Sequence, residues 1–201
     1  MRTLFTLFIL LILQTNSWAA DSNGLFAVRN AGMVTCETFV TEKKQRSEKF
    51  GLYMGWIDGY ISAANQFTPE TFDLIPWGNT VFLATLLENH CTKKPKQPFY
   101  VAVNKLVSAM MSQRLLTRSE MIETSYKKKK TYLYKAVLID VQKHLKTLHL
   151  YDAKPEGQFN TDTRKALEKY QKNNSLAVTG LPDQLTLYKI FRAIKKGEMA
   201  K

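Results

Sequence analysis

The side chains that could carry out chemistry are few in this chain, and their spacing limits what they could do. The three histidines lack the close spacing to cysteine or carboxylate ligands that a metal ion requires. No glycine-rich phosphate loop is present, and no serine or cysteine has the partners of a catalytic nucleophile. A carboxylate pair for glycoside cleavage stays open, because its members need not be adjacent in the chain. The candidates for such a pair are Glu37, Asp58 and Asp73. We therefore expect no catalytic residues, no metal ion and no cofactor.

The first 20 residues differ in character from the rest of the chain. A positively charged start is followed by ten residues, Leu4 to Leu13, with a single polar interruption, and then by small residues. This pattern predicts a secretory signal peptide over residues 1–20, cleaved after Ala19 or Ala20. A transmembrane anchor is the alternative, but ten apolar residues span only about half of a bilayer core. No cysteine follows closely, so we expect a periplasmic or secreted protein without a lipid or membrane anchor.

Export gives the two cysteines, Cys36 and Cys91, a specific meaning. Two thiols in an oxidising compartment usually pair, so we predict a disulfide between them. Closing a loop of this length would lower the conformational entropy of the unfolded chain and so stabilise the folded state by about 4 kcal/mol. A metal site is the alternative, but His90 and Cys91, one step apart on a helix, would point in different directions.

Residues 21–112 are predicted to form a helical domain closed by this disulfide. Apolar residues recur at helical spacing from Ser47 to Phe67, after Asn79 as far as Cys91, and after Pro98. A first helix begins at or just after Cys36. The first of the three patterned segments also carries a stripe of small residues, which predicts that a neighbour packs closely against it. The stripe consists of Gly51, Gly55, Gly59 and Ala63. Residues 68–78 are predicted to form a loop that exposes Phe72 and Trp77.

Residues 113–132 lack a sustained apolar face and are predicted to be a basic linker. Thr117 and Glu120 have the spacing of a capping box, which favours a short helix. The run of four lysines at 127–130 could contact an anionic surface or could simply be solvated.

Residues 133–201 are predicted to form a three-helix bundle, which makes the expected fold all-α. Turns at Gly157 and Gly180 separate three apolar stripes at helical spacing. The stripes begin at Leu138, Ala166 and Leu187, and the expected caps of the second and third helices are Thr161 and Asp183. The last two helices repeat each other, because a threonine follows each glycine by six residues.

The residues of this bundle resemble the peptidoglycan-binding domain of bacterial wall hydrolases. The matching string is Val141-Gln142, Leu145, Tyr151, Gly157, Phe159, Thr163, Ala166-Leu167, Tyr170-Gln171, Leu176, Thr179-Gly180, Asp183 and Thr186-Leu187. The resemblance implies a three-helix fold and peptidoglycan as partner. His149 and Asn160 depart from it, because the family commonly has glycine at both positions. On the loop edges, the expected ligand contacts are Tyr151, Asp152, Asn160, Thr163, Tyr170 and Gln171.

The N-terminal half resembles small periplasmic disulfide-linked helical proteins. Cys36, Tyr53-x-x-Trp56, Asn65, Cys91 and Phe99 have the size and cysteine placement of HdeA-type acid chaperones and of type VI amidase-immunity proteins. Both relatives bind or hold other proteins, so the resemblance implies a binding role for residues 21–112.

The charge of the chain is concentrated in its last third. Residues 127–201 contain 17 lysines and arginines against 7 acidic residues, whereas residues 21–126 contain 11 against 10. An anionic partner is therefore expected at the C-terminal end, and outside the cytoplasm this is the wall or a lipid headgroup and not nucleic acid. A charged surface without a partner is the alternative.

These observations favour a non-catalytic envelope protein. The C-terminal bundle would bind peptidoglycan, and the N-terminal domain would bind another envelope protein. Two alternatives stay open: a wall-acting hydrolase with a new site, and a holdase chaperone for unfolded periplasmic proteins.

Overall fold

The computed structural model describes residues 20–199, with side chains up to Lys195. The predicted signal peptide lies outside these residues except for Ala20. Within them the chain is mostly helical, with seven α-helices, one disulfide and one two-stranded sheet. The sheet makes the all-α prediction wrong in one segment. No helix in residues 20–199 is both long enough and apolar enough to cross a bilayer.

The N-terminal half contains four of the helices, at the predicted positions. They are α1 (Cys36–Gln45), α2 (Phe50–Phe67), α3 (Thr80–Lys93) and α4 (Phe99–Met110). Asn79 caps α3 by accepting a hydrogen bond from the backbone N–H of Phe82 at 2.9 Å, as its residue type favours. The core of this half is aromatic: the rings of Phe39 and Phe99 stack with centroids 4.4 Å apart, and both side chains are fully buried.

The predicted disulfide between Cys36 and Cys91 is confirmed. It joins the first residue of α1 to the last turn of α3, and both sulfur-bearing side chains are completely buried. The bond therefore closes the apolar core of the N-terminal half at the point where these two helices meet.

A β-hairpin stands where a linker was predicted. Strands β1 (Met121–Tyr126) and β2 (Lys129–Tyr134) pair antiparallel around a turn at Lys127 and Lys128. The predicted short helix at Thr117 is wrong, because the chain runs directly into β1. The turn places Lys127 at a φ of 54°, in the left-handed region. Lysine seldom adopts this conformation, so its presence gives no sequence signal for a turn.

The three predicted C-terminal helices are present. They are α5 (Lys135–Thr147), α6 (Thr161–Asn173) and α7 (Gln184–Met199). The predicted cap at Asp183 is confirmed, since its carboxylate accepts the backbone N–H of Thr186 at 3.0 Å. The cap of α6 is Asn160 and not Thr161, because the amide oxygen of Asn160 accepts the N–H of Thr163.

The two halves of the chain share a core, which the sequence did not indicate. Trp77 was predicted to be exposed but is only 3% accessible, and its ring stacks on Phe191 of α7 with centroids 5.6 Å apart and planes 6° apart. Gln184 clamps the same loop: its amide donates to the carbonyl of Trp77 and accepts the N–H of Asn79. The prediction failed because the partner of Trp77 comes from the far end of the chain.

The small-residue stripe on α2 is open and not packed. A Cβ added at Gly51, Gly55 or Gly59 would meet nothing within 4 Å, so the predicted close neighbour is wrong. Leu52 and Phe67 on the same helix are 68% and 76% exposed. One side of α2 is therefore open, with an exposed apolar side chain near each end.

Candidate functional site

The first long loop of the C-terminal bundle is fixed by one buried glutamine. The side-chain oxygen of Gln142, on α5, accepts the backbone N–H of Gly157 at 2.8 Å. Its amide nitrogen donates to the carbonyl of Gln158 and to the hydroxyl of Thr163, both at 2.9 Å. A buried amide with all its partners satisfied holds a loop in one conformation, because losing any bond leaves a polar group without water.

The second loop repeats this arrangement around Gln171 of α6. Its side-chain oxygen accepts the N–H of Gly180 at 2.9 Å, and its nitrogen donates to the carbonyl of Leu181 and the hydroxyl of Thr186. Both glycines have positive φ, 72° for Gly157 and 68° for Gly180, which turns the backbone so that its N–H points at the glutamine. The two networks explain the predicted internal repeat.

Four of the six predicted ligand contacts are buried. Thr163 and Gln171 are inaccessible to solvent, and Tyr151 and Tyr170 are 3% exposed. The first two belong to the loop networks and the tyrosines belong to the bundle core, where burial raises the pKa of the Tyr170 hydroxyl. Thr163 and Tyr170 stand seven apart on α6, in the same stripe as its core residues, so helical spacing alone could have assigned them to the core.

The other two predicted contacts, Asp152 and Asn160, are exposed on the 148–160 loop. The loop is anchored at Asp152 by Lys146, whose ammonium group donates to the backbone carbonyl of Asp152 at 3.2 Å. A polymer could reach both side chains without rearrangement of the bundle. Ligand binding by these two residues stays a prediction.

The departure at His149 has a structural meaning. His149 follows α5 with a φ of 55°, in the left-handed region that glycine adopts freely. Its backbone N–H donates to the carbonyl of Lys146 at 3.0 Å, as expected for the residue that ends a helix. The fold tolerates histidine here at the cost of backbone strain.

Replacing His149 with glycine is expected to raise the free energy of unfolding by about 0.5–1 kcal/mol. Relief of the strained left-handed conformation stabilises the folded state by about 1–2 kcal/mol. The greater freedom of glycine in the unfolded chain opposes this by about 0.4–1 kcal/mol. Urea unfolding of the two proteins would measure the difference. A lower stability of the glycine variant would contradict this account.

A cation–π contact joins the basic hairpin to α6. The guanidinium of Arg164 lies 4.5 Å from the ring centroid of Tyr126, at the end of β1 and next to the four-lysine run. Farther along the hairpin, Glu123 accepts hydrogen bonds from the Tyr132 hydroxyl and the Lys130 ammonium, which together hold the pKa of its carboxyl below the usual value. Because Lys127, Lys128 and Lys129 are exposed beside this pair, the hairpin adds positive charge to that of the bundle.

The predicted carboxylate candidates for catalysis occupy separate elements. Glu37 lies in the first turn of α1, Asp58 accepts a hydrogen bond from Thr80, and Asp73 accepts the N–H of Ile75 at 3.0 Å. Asp58 and Asp73 therefore have local structural partners. Among the described residues, no three histidine, cysteine or acidic side chains come together as metal ligands would.

Comparison with known proteins concerns the bundle alone. The chain matches no curated protein and no solved structure. The resemblance of the N-terminal half to HdeA-type and immunity proteins is not supported by these comparisons. Residues 136–190, from the start of α5 into α7, match the family model described as "Putative peptidoglycan binding domain", which suggests peptidoglycan binding by this part of the chain.

Proposed function

We propose that the protein is exported and binds peptidoglycan through its C-terminal bundle without cleaving it, while its N-terminal domain binds a second envelope protein. The family match at residues 136–190 carries the proposal. The apolar segment and small residues at 1–20 support export, and the basic surface supports attraction to wall carboxylates.

A non-catalytic role is favoured by the chemistry of the N-terminal half. The sequence has no nucleophile with a base, and Asp58 and Asp73 are engaged in local hydrogen bonds. A binding role for this half is favoured by the open side of α2, where an exposed stripe of small residues between Leu52 and Phe67 leaves room for a partner to approach the helix closely.

The test is sedimentation of the whole mature chain with purified peptidoglycan sacculi. Separated halves are unsuitable, because cutting the chain would expose Trp77 and its partner Phe191. We expect most of the protein to sediment at low salt and at moderate salt. Binding by charge alone would be screened as the salt concentration rises.

Two surface variants locate the site within the bundle. Asp152→Ala removes an exposed carboxylate, and Asn160→Asp keeps a good helix cap while adding charge. Each is expected to weaken retention about fivefold, the effect of losing about 1 kcal/mol of polar contact. Glu48→Ala, an exposed acid just before α2, is the matched control and should bind as the parent does.

The same samples separate the alternatives. If retention disappears at moderate salt, the bundle shares the fold of peptidoglycan-binding domains but does not bind peptidoglycan specifically. Release of soluble fragments from the sacculi, lost on replacing Asp58 or Asp73, would contradict the non-catalytic proposal and identify a hydrolase.

A further inference from the structure

A cavity of about 570 Å³ lies between the C-terminal bundle and the end of the N-terminal domain. One wall comes from α5 and α7, and the other comes from residues 112–115 and Pro76. Part of the lining is apolar, with Leu115, Val137 and Phe191. A volume of this size accommodates a small organic ligand or a dipeptide.

Arg114 lines this cavity as a partly buried cation, and no carboxylate among the side chains described up to Lys195 pairs with it. Its Nη1 donates to the carbonyl of Met111 at 3.1 Å, and its Nε–H is enclosed and has no acceptor among the described residues. Enclosing one N–H of a charged guanidinium without an acceptor is unfavourable, so the arrangement favours an anionic ligand beside the part of Arg114 that lines the cavity.

The other charged groups of the cavity leave one positive charge uncompensated. The ammonium of Lys143 lies 3.1 Å from the carboxylate of Asp140, on the same face of α5, and these two charges offset each other. His144, which lines the same wall, has a pKa below its usual value because it is partly buried, so its ring is neutral at neutral pH. With Arg114 included, the lining has a net charge of +1, which matches one carboxylate.

We infer that this cavity binds the free terminal carboxylate of a short peptide. Arg114 would hold the carboxylate, with the exposed side chain of Lys143 at its edge, and the partly exposed Leu115 and Ile194 would cover a small aliphatic side chain of alanine size. If the proposed function holds, the natural source is the end of a peptidoglycan stem peptide. Arg114, Leu115 and Pro76 precede residues 136–190, whereas the rest of the apolar lining comes from α5 and α7 of the bundle, so the site depends on both halves of the chain.

The experiment is a calorimetric titration of the whole mature chain with N-acetyl-D-alanyl-D-alanine. The same peptide with an amidated C-terminus serves as the ligand control. We expect the acid to bind at least tenfold more tightly than the amide, because guanidinium–carboxylate hydrogen bonds are among the stronger polar contacts. Inorganic phosphate should bind at least tenfold more weakly than the peptide, because it leaves the apolar wall uncovered.

Three variants test the assignment. Arg114→Gln should weaken peptide binding at least tenfold, and Lys143→Gln, on an exposed side chain, about twofold to fivefold. Lys169→Gln removes one exposed charge from α6 away from the cavity and should bind as the parent does. Circular dichroism of each variant shows whether the helices are retained, and Lys143→Gln tests the site even if Arg114→Gln does not fold.

Equal binding of the acid and the amide would overturn the inference, and so would phosphate that binds as tightly as the peptide. Unchanged binding in folded Arg114→Gln or in Lys143→Gln would do the same. Failure here is distinct from failure of the proposed function. Sacculi that retain the protein while the peptide does not bind contradict this site alone, whereas peptide binding without retention contradicts the proposed wall attachment.

Discussion

Replacing Cys36 and Cys91 together with alanine is expected to lower the free energy of unfolding by about 4 kcal/mol. The disulfide joins residues 55 apart, and a closed loop of that length removes about this much conformational entropy from the unfolded chain. Alanine is the better replacement, because both positions are fully buried and serine would place a hydroxyl group in the core. The loss would be a large share of the stability typical of a small domain.

Guanidinium unfolding, followed by the fluorescence of Trp56 and Trp77, would measure this loss. Reduction of the unaltered protein with a thiol should reproduce it, which separates the effect of the bond from that of the side chains. A loss below about 1 kcal/mol in both experiments would show that the helices of the N-terminal half hold together without the bond.

Replacing Gly157 with alanine is expected to cost about 2–3 kcal/mol, about three times the cost at Gly180, after allowing about 0.4–1 kcal/mol for the smaller freedom of alanine in the unfolded chain. Both glycines have positive φ, which penalises any side chain by about 1–2 kcal/mol. At Gly157 the new Cβ would also lie 2.9 Å from the backbone oxygen of Lys135 and 2.9 Å from the side chain of Ile139. The first turn of α5 would have to shift, which adds about 1–3 kcal/mol.

Gly180 is the matched control for this prediction. There the new Cβ would meet the Cγ of Arg164 and the carboxylate of Glu168, each at 3.0 Å, and both side chains are long enough to move away. Alanine at this position should therefore cost about 0.5–1 kcal/mol, because the smaller freedom of alanine in the unfolded chain offsets part of the backbone penalty. Urea unfolding of both variants would show the contrast, and equal losses would mean that the crowding at Lys135 is easily relieved.

The helices and the repeat could be predicted from the sequence because their signals are local. Asn79 and Asp183 precede apolar stripes at helical spacing, and Gly157 and Gly180 mark the turns between helices. The disulfide followed from there being only two cysteines. Each of these inferences needs no knowledge of distant parts of the chain.

The hairpin and the shared core could not be predicted in this way. In the hairpin only Thr124 and Leu133 are buried, and the inward position 124 holds a polar residue, so the apolar alternation that reveals a strand is weak in the sequence. A lysine also occupies the turn. Trp77 stands in a loop rich in turn residues, and no neighbouring residue in the sequence predicts that it packs against Phe191. The network role of Gln142 was missed because a glutamine in a helix normally lies on its surface.

The candidate site was partly predictable for the same reasons. The exposed loop with Asp152 and Asn160 was found from the family resemblance, whereas the burial of Thr163 and Gln171 was overlooked although their helical positions indicated it. Arg114 was not found, because its segment was interpreted as a linker and its cavity requires the bundle to pack against it.

The stacking of Trp77 on Phe191, with the Gln184 clamp beside it, sets the geometry in which the protein could work. Domains joined by a flexible tether sample many distances, and their effective concentration for a second partner depends on tether length. Here the packing of Trp77 on Phe191 holds the two halves against each other in place of a flexible tether. A molecule fastened to a wall polymer by its bundle would hold the open side of α2 at one angle and one height above the polymer. Its second partner would be met in a fixed orientation, without the entropic cost of confining a mobile arm.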